Sequence, residues 1–142
     1  MDDCIFCKIV KGDIPIYKIY ENEKVLAFLD IKPLSKGHTL VLTKEHYENI
    51  HDIPESLLCE VSKVVKMVAN NIDEKLHPEG IIIRQNNKES AGQTIMHYHV
   101  HVKPIYEDTP RVTEAPYRKA LSEEDMKSYV DILKMDSSAP VS

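Results

Sequence analysis

Short runs of apolar and β-branched residues, bounded by turn-forming residues, predict the strands of this chain. The predicted strands are 17–21, 25–30, 39–43, 81–85 and 95–102. A polar turn at 22–24 joins the first two strands, and a polar loop at 86–92 joins the last two. Short polar connections of this kind are typical of neighbouring antiparallel strands.

Between the third and fourth strands the apolar period changes to three and four residues, which predicts one long helix from Pro54 to Lys75. Its apolar positions are Leu57, Val61, Val64, Val65, Val68 and Ile72. Proline is tolerated in a first helical turn, and Gly80 follows shortly after the predicted end. A short second helix is predicted from Ser122, an N-cap residue followed by three acidic residues, to about Lys134.

This order of elements favours an α+β fold, in which the long helix packs on an antiparallel sheet. The 142 residues suit one domain. A net charge of −5 argues against a dedicated nucleic-acid-binding protein, and no apolar run approaches the ~18 residues of a membrane span. The three cysteines, an odd number, argue against a disulfide framework. We therefore expect a reducing, cytoplasmic location, with neither nucleic acid nor a membrane as a partner.

Three of the seven histidines fall within five residues, at His97, His99 and His101. On a strand they would share one face. The opposite face, packed on the core, would carry Met96, Tyr98, Val100 and Val102. Clustered titratable residues often mark a functional site. The cluster fits either the ligands of a catalytic zinc ion or a neutral imidazole nucleophile with neighbours that orient it. Spacing alone does not distinguish these two chemistries.

The loop that leads into the histidines offers hydrogen-bond donors. Gly92 allows close approach of the backbone, while Asn86, Gln93 and Thr94 carry amides and a hydroxyl near the first imidazole. Such groups suit a phosphoryl oxyanion. Without the histidines, the same residues would indicate an ordinary polar hairpin loop.

A second candidate site is the Cys4-x-x-Cys7 motif. This motif can be redox-active, structural or accidental. No βαβ pattern of the thioredoxin type surrounds it, which disfavours the redox interpretation. Zinc takes four nitrogen or sulfur ligands, so two histidines would have to complete a metal site.

An ordered set of motifs runs through the chain from residue 4 to residue 104. The most specific is QTIMHYHVHV at 93–102, in which histidines alternate with other residues. The other segments are 4–9, 27–31, 37–41, 44–46 and 85–87. Together they resemble the histidine-triad family of nucleotide-binding proteins and hydrolases. The resemblance implies the histidine-triad fold at 1–104, with a C-terminal extension at 105–142 that carries the short helix and belongs to the same single domain. It also implies a homodimer whose sheets join edge to edge.

The resemblance further implies a reaction. Family members cleave an α-phosphate bond of a nucleotide, in a nucleoside phosphoramidate or a dinucleoside polyphosphate, through a nucleotidyl-histidine intermediate. The middle histidine, here His99, attacks. A third histidine, here His101, favours hydrolysis, because transferase branches of the superfamily carry glutamine at that position. The expected substrate is a purine nucleotide, and no catalytic metal is expected.

Roles are implied residue by residue. The catalytic residues would be His99, His101, His38 and Thr94. The nucleotide-binding residues would be Asp30, Ile31, Asn86, Gly92, Gln93 and Thr94. A closed, structural zinc site would be formed by Cys4, Cys7, His46 and His97. Two other functions stay open: a zinc hydrolase that uses the three histidines of the motif as ligands, and a non-catalytic purine-nucleotide-binding or scaffold protein.

Overall fold

A computed structural model of the chain describes residues 3–110 and 120–134. The chain divides into two compact units, Met1–Thr109 and Pro110–Ser142. The first unit has the α+β architecture expected from the sequence, with one five-stranded antiparallel sheet. None of the helices in the described ranges is long and apolar enough to cross a bilayer.

The sheet has the strand order β1-β2-β3-β5-β4, and every neighbouring pair is antiparallel. The strands are β1 (Lys18–Glu21), β2 (Val25–Leu29), β3 (Thr39–Thr43), β4 (Gly80–Arg84) and β5 (His99–Ile105). The first four lie within one residue of their predicted bounds. Because β5 pairs with both β3 and β4, His99 and His101 lie inside the sheet rather than at its edge.

One face of the sheet is covered by a long helix, α2 (Glu55–Leu76), which confirms the predicted helix to within one residue at each end. Its buried side chains are Leu57, Val61, Val64, Val68 and Ile72. They form a single apolar core with side chains from β2, β3 and β5, including Val41 and Val100. Val65, which was expected on this face, is only partly buried. Each aliphatic side chain removed from water here contributes roughly 1.5–3 kcal/mol to folding.

The opposite face carries a short helix that the sequence pattern did not predict, α1 (Ile5–Lys11). Cys4 is its N-cap, and its Sγ accepts a hydrogen bond from the main-chain N–H of Cys7 at 3.4 Å. Gly12 ends the helix at φ +88°, a left-handed conformation that favours glycine. Phe6 and Ile9 pack on the sheet against Phe28 and neighbouring side chains of β2 and β3. The cysteine motif is therefore the start of a helix that covers the second face.

The predicted strand 95–102 is wrong at its N-terminal end, because β5 begins only at His99. Before that residue the chain bends: the N–H of His97 bonds to the oxygen of Ile95 at 2.9 Å, and that of Tyr98 to the oxygen of Tyr47 at 2.6 Å. Met96, which was expected to pack on the core, is 38% exposed. Tyr98 is buried against the α2 face, as predicted. A local turn at His97 and a long-range hydrogen bond from Tyr98 to Tyr47, neither of which alternation can reveal, remove 95–98 from the strand.

The second unit contains one described helix, α3 (Glu123–Leu133). Ser122 is its N-cap and accepts a hydrogen bond from the N–H of Asp125 at 3.1 Å, as the sequence predicts. Three acidic residues in the first turn complement the helix dipole. Of the predicted C-terminal extension, 111–119 and 135–142 lie outside the described residues.

Candidate active site

A cavity of about 270 Å³ lies beside His99 and His101. Apolar side chains of α1 and of the following segment form one wall: Ile5, Phe6, Ile9, Ile14 and Ile16. Phe28 and Leu40 form the floor, and Asp30 and Ile31 lie at the end of β2. Thr94, His99 and His101 also line the cavity. The cavity is apolar with a few polar groups at one end, which is typical of a small-molecule site.

His99 is buried in this cavity with a defined tautomer. Its ring is 8% exposed, and its Nδ1 lies 2.6 Å from the main-chain oxygen of His97. A carbonyl oxygen can only accept, so Nδ1 carries the proton and donates it. The lone pair of His99 is then on Nε2. Burial lowers the pKa of His99, which favours the neutral ring at neutral pH.

His38 and His101 form a directed chain of hydrogen bonds. The N–H of Leu34 donates to Nδ1 of His38 at 3.0 Å, which places the His38 proton on Nε2. Nε2 of His38 lies 3.0 Å from Nδ1 of His101, so His38 donates and His101 accepts. The remaining proton of neutral His101 is on its own Nε2. Burial, assisted by the neighbouring His99, Lys103 and His38, lowers the pKa of His101 to about 4.

Asp30 lies at the same end of the cavity. Its Oδ2 is 3.7 Å from Nε2 of His38, and its Oδ1 accepts a hydrogen bond from the N–H of Lys32 at 2.8 Å. Asp30, His38 and His101 offer ligand atoms that lie within 4.8 Å of one another. A metal ion would need the lone pair of His38 Nε2, but the Leu34 N–H keeps the proton on that atom. The tautomer of His38 therefore disfavours a metal ion at this cluster.

The loop before the motif is held by its own polar side chains. Gln93 is almost fully buried: its amide donates to the oxygens of Glu48 at 2.6 Å and Ile95 at 3.1 Å, and its Oε1 accepts from the N–H of Lys88 at 2.7 Å. The Asn86 amide donates to the oxygen of Ala91. The side chains of Asn86 and Gln93 therefore make hydrogen bonds that stabilise the loop.

Gly92 lies directly beside Asn86, at φ +92°, a conformation that favours glycine. A Cβ at this position would come within 3.0 Å of the Asn86 amide nitrogen. Of the four loop residues named from the sequence, Thr94 lines the cavity, whereas Asn86, Gly92 and Gln93 do not.

The cysteine motif contacts two histidines, His46 and His97, near the N-terminal end of the histidine motif. Sγ of Cys4 lies 3.3 Å from Nδ1 of His97, and Sγ of Cys7 lies 3.2 Å from Nδ1 of His46 and 3.5 Å from Nδ1 of His97. All four ligand atoms lie within 4.8 Å of one another. Four ligands at bond lengths of about 2.0–2.3 Å around a tetrahedral zinc ion have similar separations.

The chemistry of these four residues also fits zinc. Nε2 of His97 donates to the main-chain oxygen of Thr43 at 2.6 Å, which leaves the lone pair on Nδ1, the atom that faces both cysteines. A carbonyl that fixes the tautomer is the usual second partner of a metal-bound histidine. Burial and the neighbouring Cys4 raise the pKa of the Cys7 thiol, so a bound metal ion would favour the Cys7 thiolate.

Phe6 joins the two clusters, and the sequence analysis missed it. Its ring meets that of His97 edge-on at 5.8 Å and that of His99 at 5.0 Å, measured between centroids. The available signal was the apolar spacing of Ile5, Phe6 and Ile9 beside the cysteine motif. These residues lie in α1, whose seven residues are too few to be identified as a helix by periodicity.

An antiparallel sheet with His99 and His101 on one face of a strand, and His97 turned toward two cysteines, is typical of histidine-triad proteins. Comparison with known families agrees: residues 11–108 match the HIT domain. The chain belongs to this family.

Relatives extend the comparison. The chain is 47% identical over 105 residues to Protein hit of Bacillus subtilis, an alignment that covers 74% of this chain and 72% of that protein. It is 41% identical over 105 residues to adenosine 5'-monophosphoramidase HNT1 of Candida albicans, covering 71% of this chain and 69% of the enzyme. A zinc-bound histidine-triad family protein from Mycobacterium smegmatis superposes with a TM-score of 0.74 at 32% identity, covering 94% and 99% of the two chains.

Proposed function

We propose that this protein is a nucleotide hydrolase in which His99 attacks the α-phosphorus and forms a covalent nucleotidyl-histidine. The observation that carries the proposal is the hydrogen bond from His99 Nδ1 to the main-chain oxygen of His97. It supports a neutral ring whose Nε2 lone pair is free, in a cavity large enough for part of a nucleoside. A nucleophilic residue divides one difficult displacement into two easier steps.

In the first step a bond forms between His99 Nε2 and phosphorus, and the bond from phosphorus to the leaving group breaks. The Nε2–H of His101, which the His38 chain keeps protonated, supplies a hydrogen bond to a phosphate oxygen or to the leaving atom. In the second step a water oxygen bonds to phosphorus, the Nε2–phosphorus bond breaks, and the nucleoside monophosphate leaves. The water gives up one proton, which replaces the proton that the leaving group takes up when its bond to phosphorus breaks, and His99 returns to its starting tautomer.

The rest of the cavity supports a purine nucleotide. Phe6, Ile9 and Phe28 provide apolar surface for a flat base, and Ile31, which is 77% exposed, can cover it from the open side. In this proposal the Asp30 carboxylate accepts hydrogen bonds from the ribose hydroxyls. The Thr94 hydroxyl donates a hydrogen bond to the phosphate.

Two substrate classes fit this proposal. The Candida albicans relative is named a phosphoramidase of adenosine 5'-monophosphate, which supports a nucleoside phosphoramidate. A dinucleoside polyphosphate has the same α-phosphorus and differs in its leaving group. The hydrogen-bonded orientation of His99 and His101 serves either class.

A structural zinc ion at Cys4, Cys7, His46 and His97 belongs to the same proposal. When bound, it would hold the start of α1 and His97, two residues before β5, in fixed positions. The supporting observations are the four convergent ligand atoms and the zinc-bound relative from Mycobacterium smegmatis. The ion takes no part in the reaction steps above. The proposal includes a cytoplasmic location, because both thiols must stay reduced to bind the ion.

A homodimer is also part of the proposal. β4 is an edge strand, and two of its side chains, Ile82 and Ile83, are 40% and 48% exposed. Exposed apolar residues on an unpaired edge favour pairing with another strand. A second copy that pairs along this edge would extend the sheet.

The proposal is tested by incubating the protein with adenosine 5'-phosphoramidate or diadenosine tetraphosphate, quenching rapidly and measuring the intact mass. We expect adenosine monophosphate as a product and an adenylyl adduct on the wild-type protein. The adduct is absent in His99→Ala and present in His51→Ala, a matched control at an exposed histidine. Nucleotide binding without turnover supports a binding or scaffold protein, and turnover abolished by a chelator without unfolding supports a zinc hydrolase.

A further inference from the structure

Two cations extend the catalytic face beyond the histidines. In β5 the residues His99, His101 and Lys103 alternate, so they leave the sheet on the same face, about 7 Å apart along the strand. In the register of β4 with β5, Arg84 lies opposite His101. Residues opposite each other in an antiparallel pair share a face, with Cβ atoms about 5 Å apart. Lys103 and Arg84 are therefore diagonal neighbours next to His101.

The cavity and the two cations lie on different sides of His99 and His101, where the phosphate would bind. The apolar cavity lies on the α1, β2 and β3 side of His99 and His101. Arg84 is on the other side, on β4, and Lys103 is one strand position past His101. Neither cation lines the cavity. A nucleotide whose nucleoside fills the cavity presents its phosphate at His99 and leaves the group beyond that phosphate on the side of the cations.

In the part of the chain that the structure describes, neither Lys103 nor Arg84 forms an ion pair with a carboxylate. Asp30 is near enough to favour the Lys103 charge, but Asp30 already contacts His38 and the N–H of Lys32. Lys103 is partly buried, and its pKa is lowered by that burial and by Arg84. Two like charges so placed are unfavourable until an anion lies between them.

We propose that Lys103 and Arg84 bind an anionic leaving group, and so select nucleotides whose α-phosphate is followed by further phosphates, such as dinucleoside polyphosphates. This inference rests on the proposed hydrolase function and chooses between its two substrate classes. In the displacement, the bridging oxygen keeps the electron pair of the broken bond, and negative charge develops on the departing phosphates. Cations that meet this charge act mainly in the transition state. Ammonia, the leaving group of a phosphoramidate, gains nothing from them.

The test compares diadenosine tetraphosphate with adenosine 5'-phosphoramidate in wild type, Lys103→Gln, Arg84→Gln and the double variant. We expect kcat/KM for the tetraphosphate to fall by about tenfold in each single variant and more in the double variant, since a charge-assisted bond to phosphate is lost. For the phosphoramidate we expect a fall of at most about threefold. Lys103→Arg keeps the charge and should restore most of the loss. Lys66→Gln, an exposed lysine on α2, is the matched control and should change neither rate.

An equal fall for both substrates, or no fall for the tetraphosphate, overturns the inference and leaves the hydrolase proposal intact. If wild type hydrolyses neither substrate, the hydrolase proposal fails, and a binding measurement still decides the role of the cations. In the His99→Ala background, adenosine triphosphate should bind more tightly than adenosine monophosphate. Lys103→Gln and Arg84→Gln should abolish that preference, and 0.5 M salt should weaken it, because screening acts on exposed charges. A preference that survives both changes rejects the inference.

Discussion

His97 and His99 are two residues apart and both are buried, yet opposite nitrogens of their rings carry the lone pair. In His97, Nε2 donates to the oxygen of Thr43, and Nδ1 faces two sulfur atoms. In His99, Nδ1 donates to the oxygen of His97, and Nε2 is left for the cavity. The side chain is the same at both positions, and a main-chain acceptor decides its chemistry. One end of the motif is suited to hold a metal ion, and the other is suited to attack phosphorus.

The strongest way to break this comparison is to remove the attacking ring. For His99→Ala we expect kcat to fall by about 10⁴-fold or more, because no other group in the cavity offers the same nucleophile. Affinity for adenosine monophosphate, measured by calorimetry, should change by less than about threefold, since the base and ribose contacts remain. A variant that keeps a near-normal rate would show that His99 is not the nucleophile.

A second change acts on the metal end. Cys4→Ser removes one of four ligands, and we expect loss of bound zinc and a fall in Tm of about 10 °C, because metal binding to the native state contributes to folding. Cys59→Ser, at an exposed thiol on α2, is the matched control and should keep both zinc and Tm. Zinc content from elemental analysis and Tm from calorimetry are the readouts. Unchanged zinc in Cys4→Ser rejects the four-residue site.

The next prediction concerns the hydrogen bond that His38 donates to His101. In His38→Ala the donor to His101 Nδ1 is lost, so the proton of His101 is no longer held on Nε2. We expect kcat to fall by about tenfold to a hundredfold, with KM for the nucleotide changed less, which is typical of a positioning residue. A fall in stability with kcat unchanged below Tm would mean that His38 only fills space.

The smallest effect concerns pH. His101 has a pKa of about 4 in the folded protein, against 6.5 for an ordinary histidine. Between these values the unfolded chain binds a proton that the folded protein does not, so stability falls as the pH is lowered from 6.5 toward 4. In His101→Gln the fall in Tm between pH 7 and pH 5 should be smaller than in wild type. His51→Gln, at an exposed position, should follow wild type. Equal falls in all three proteins contradict the depressed pKa.

The fold was largely predictable from sequence because most of its elements carry a local signal. The strand at 39–43 is a continuous apolar run, and the apolar period from Leu57 to Ile72 is long enough to specify one helix face. The helix α1 was missed, since its cap is a cysteine and its seven residues are too few for a periodicity argument. The predicted start of β5 was wrong, because a hydrogen bond from Tyr98 to Tyr47, which is distant in sequence, helps to set where the strand begins.

For the candidate site, the sequence named residues but gave no geometry. The four residues that converge at the cysteine motif, including His46, were named by resemblance, and the structure brings their ligand atoms together. What the sequence could not provide is which nitrogen of each ring is free. That depends on single carbonyl oxygens, at Thr43 and His97, whose positions follow from tertiary structure. The burial of Gln93 within its loop was equally inaccessible, since its partners are main-chain atoms.

The acceptor that orients His99 belongs to the peptide backbone of residue 97. Every amino acid presents that oxygen, so no single exchange of a side chain can delete it. Only a displacement of the main chain can remove it. The main chain at His97 is held in place because its ring contacts Thr43 and the sulfur atoms of Cys4 and Cys7. A replacement of His97 should therefore be tolerated when it keeps the main chain in place. The capacity of the new side chain for hydrogen bonding should matter less.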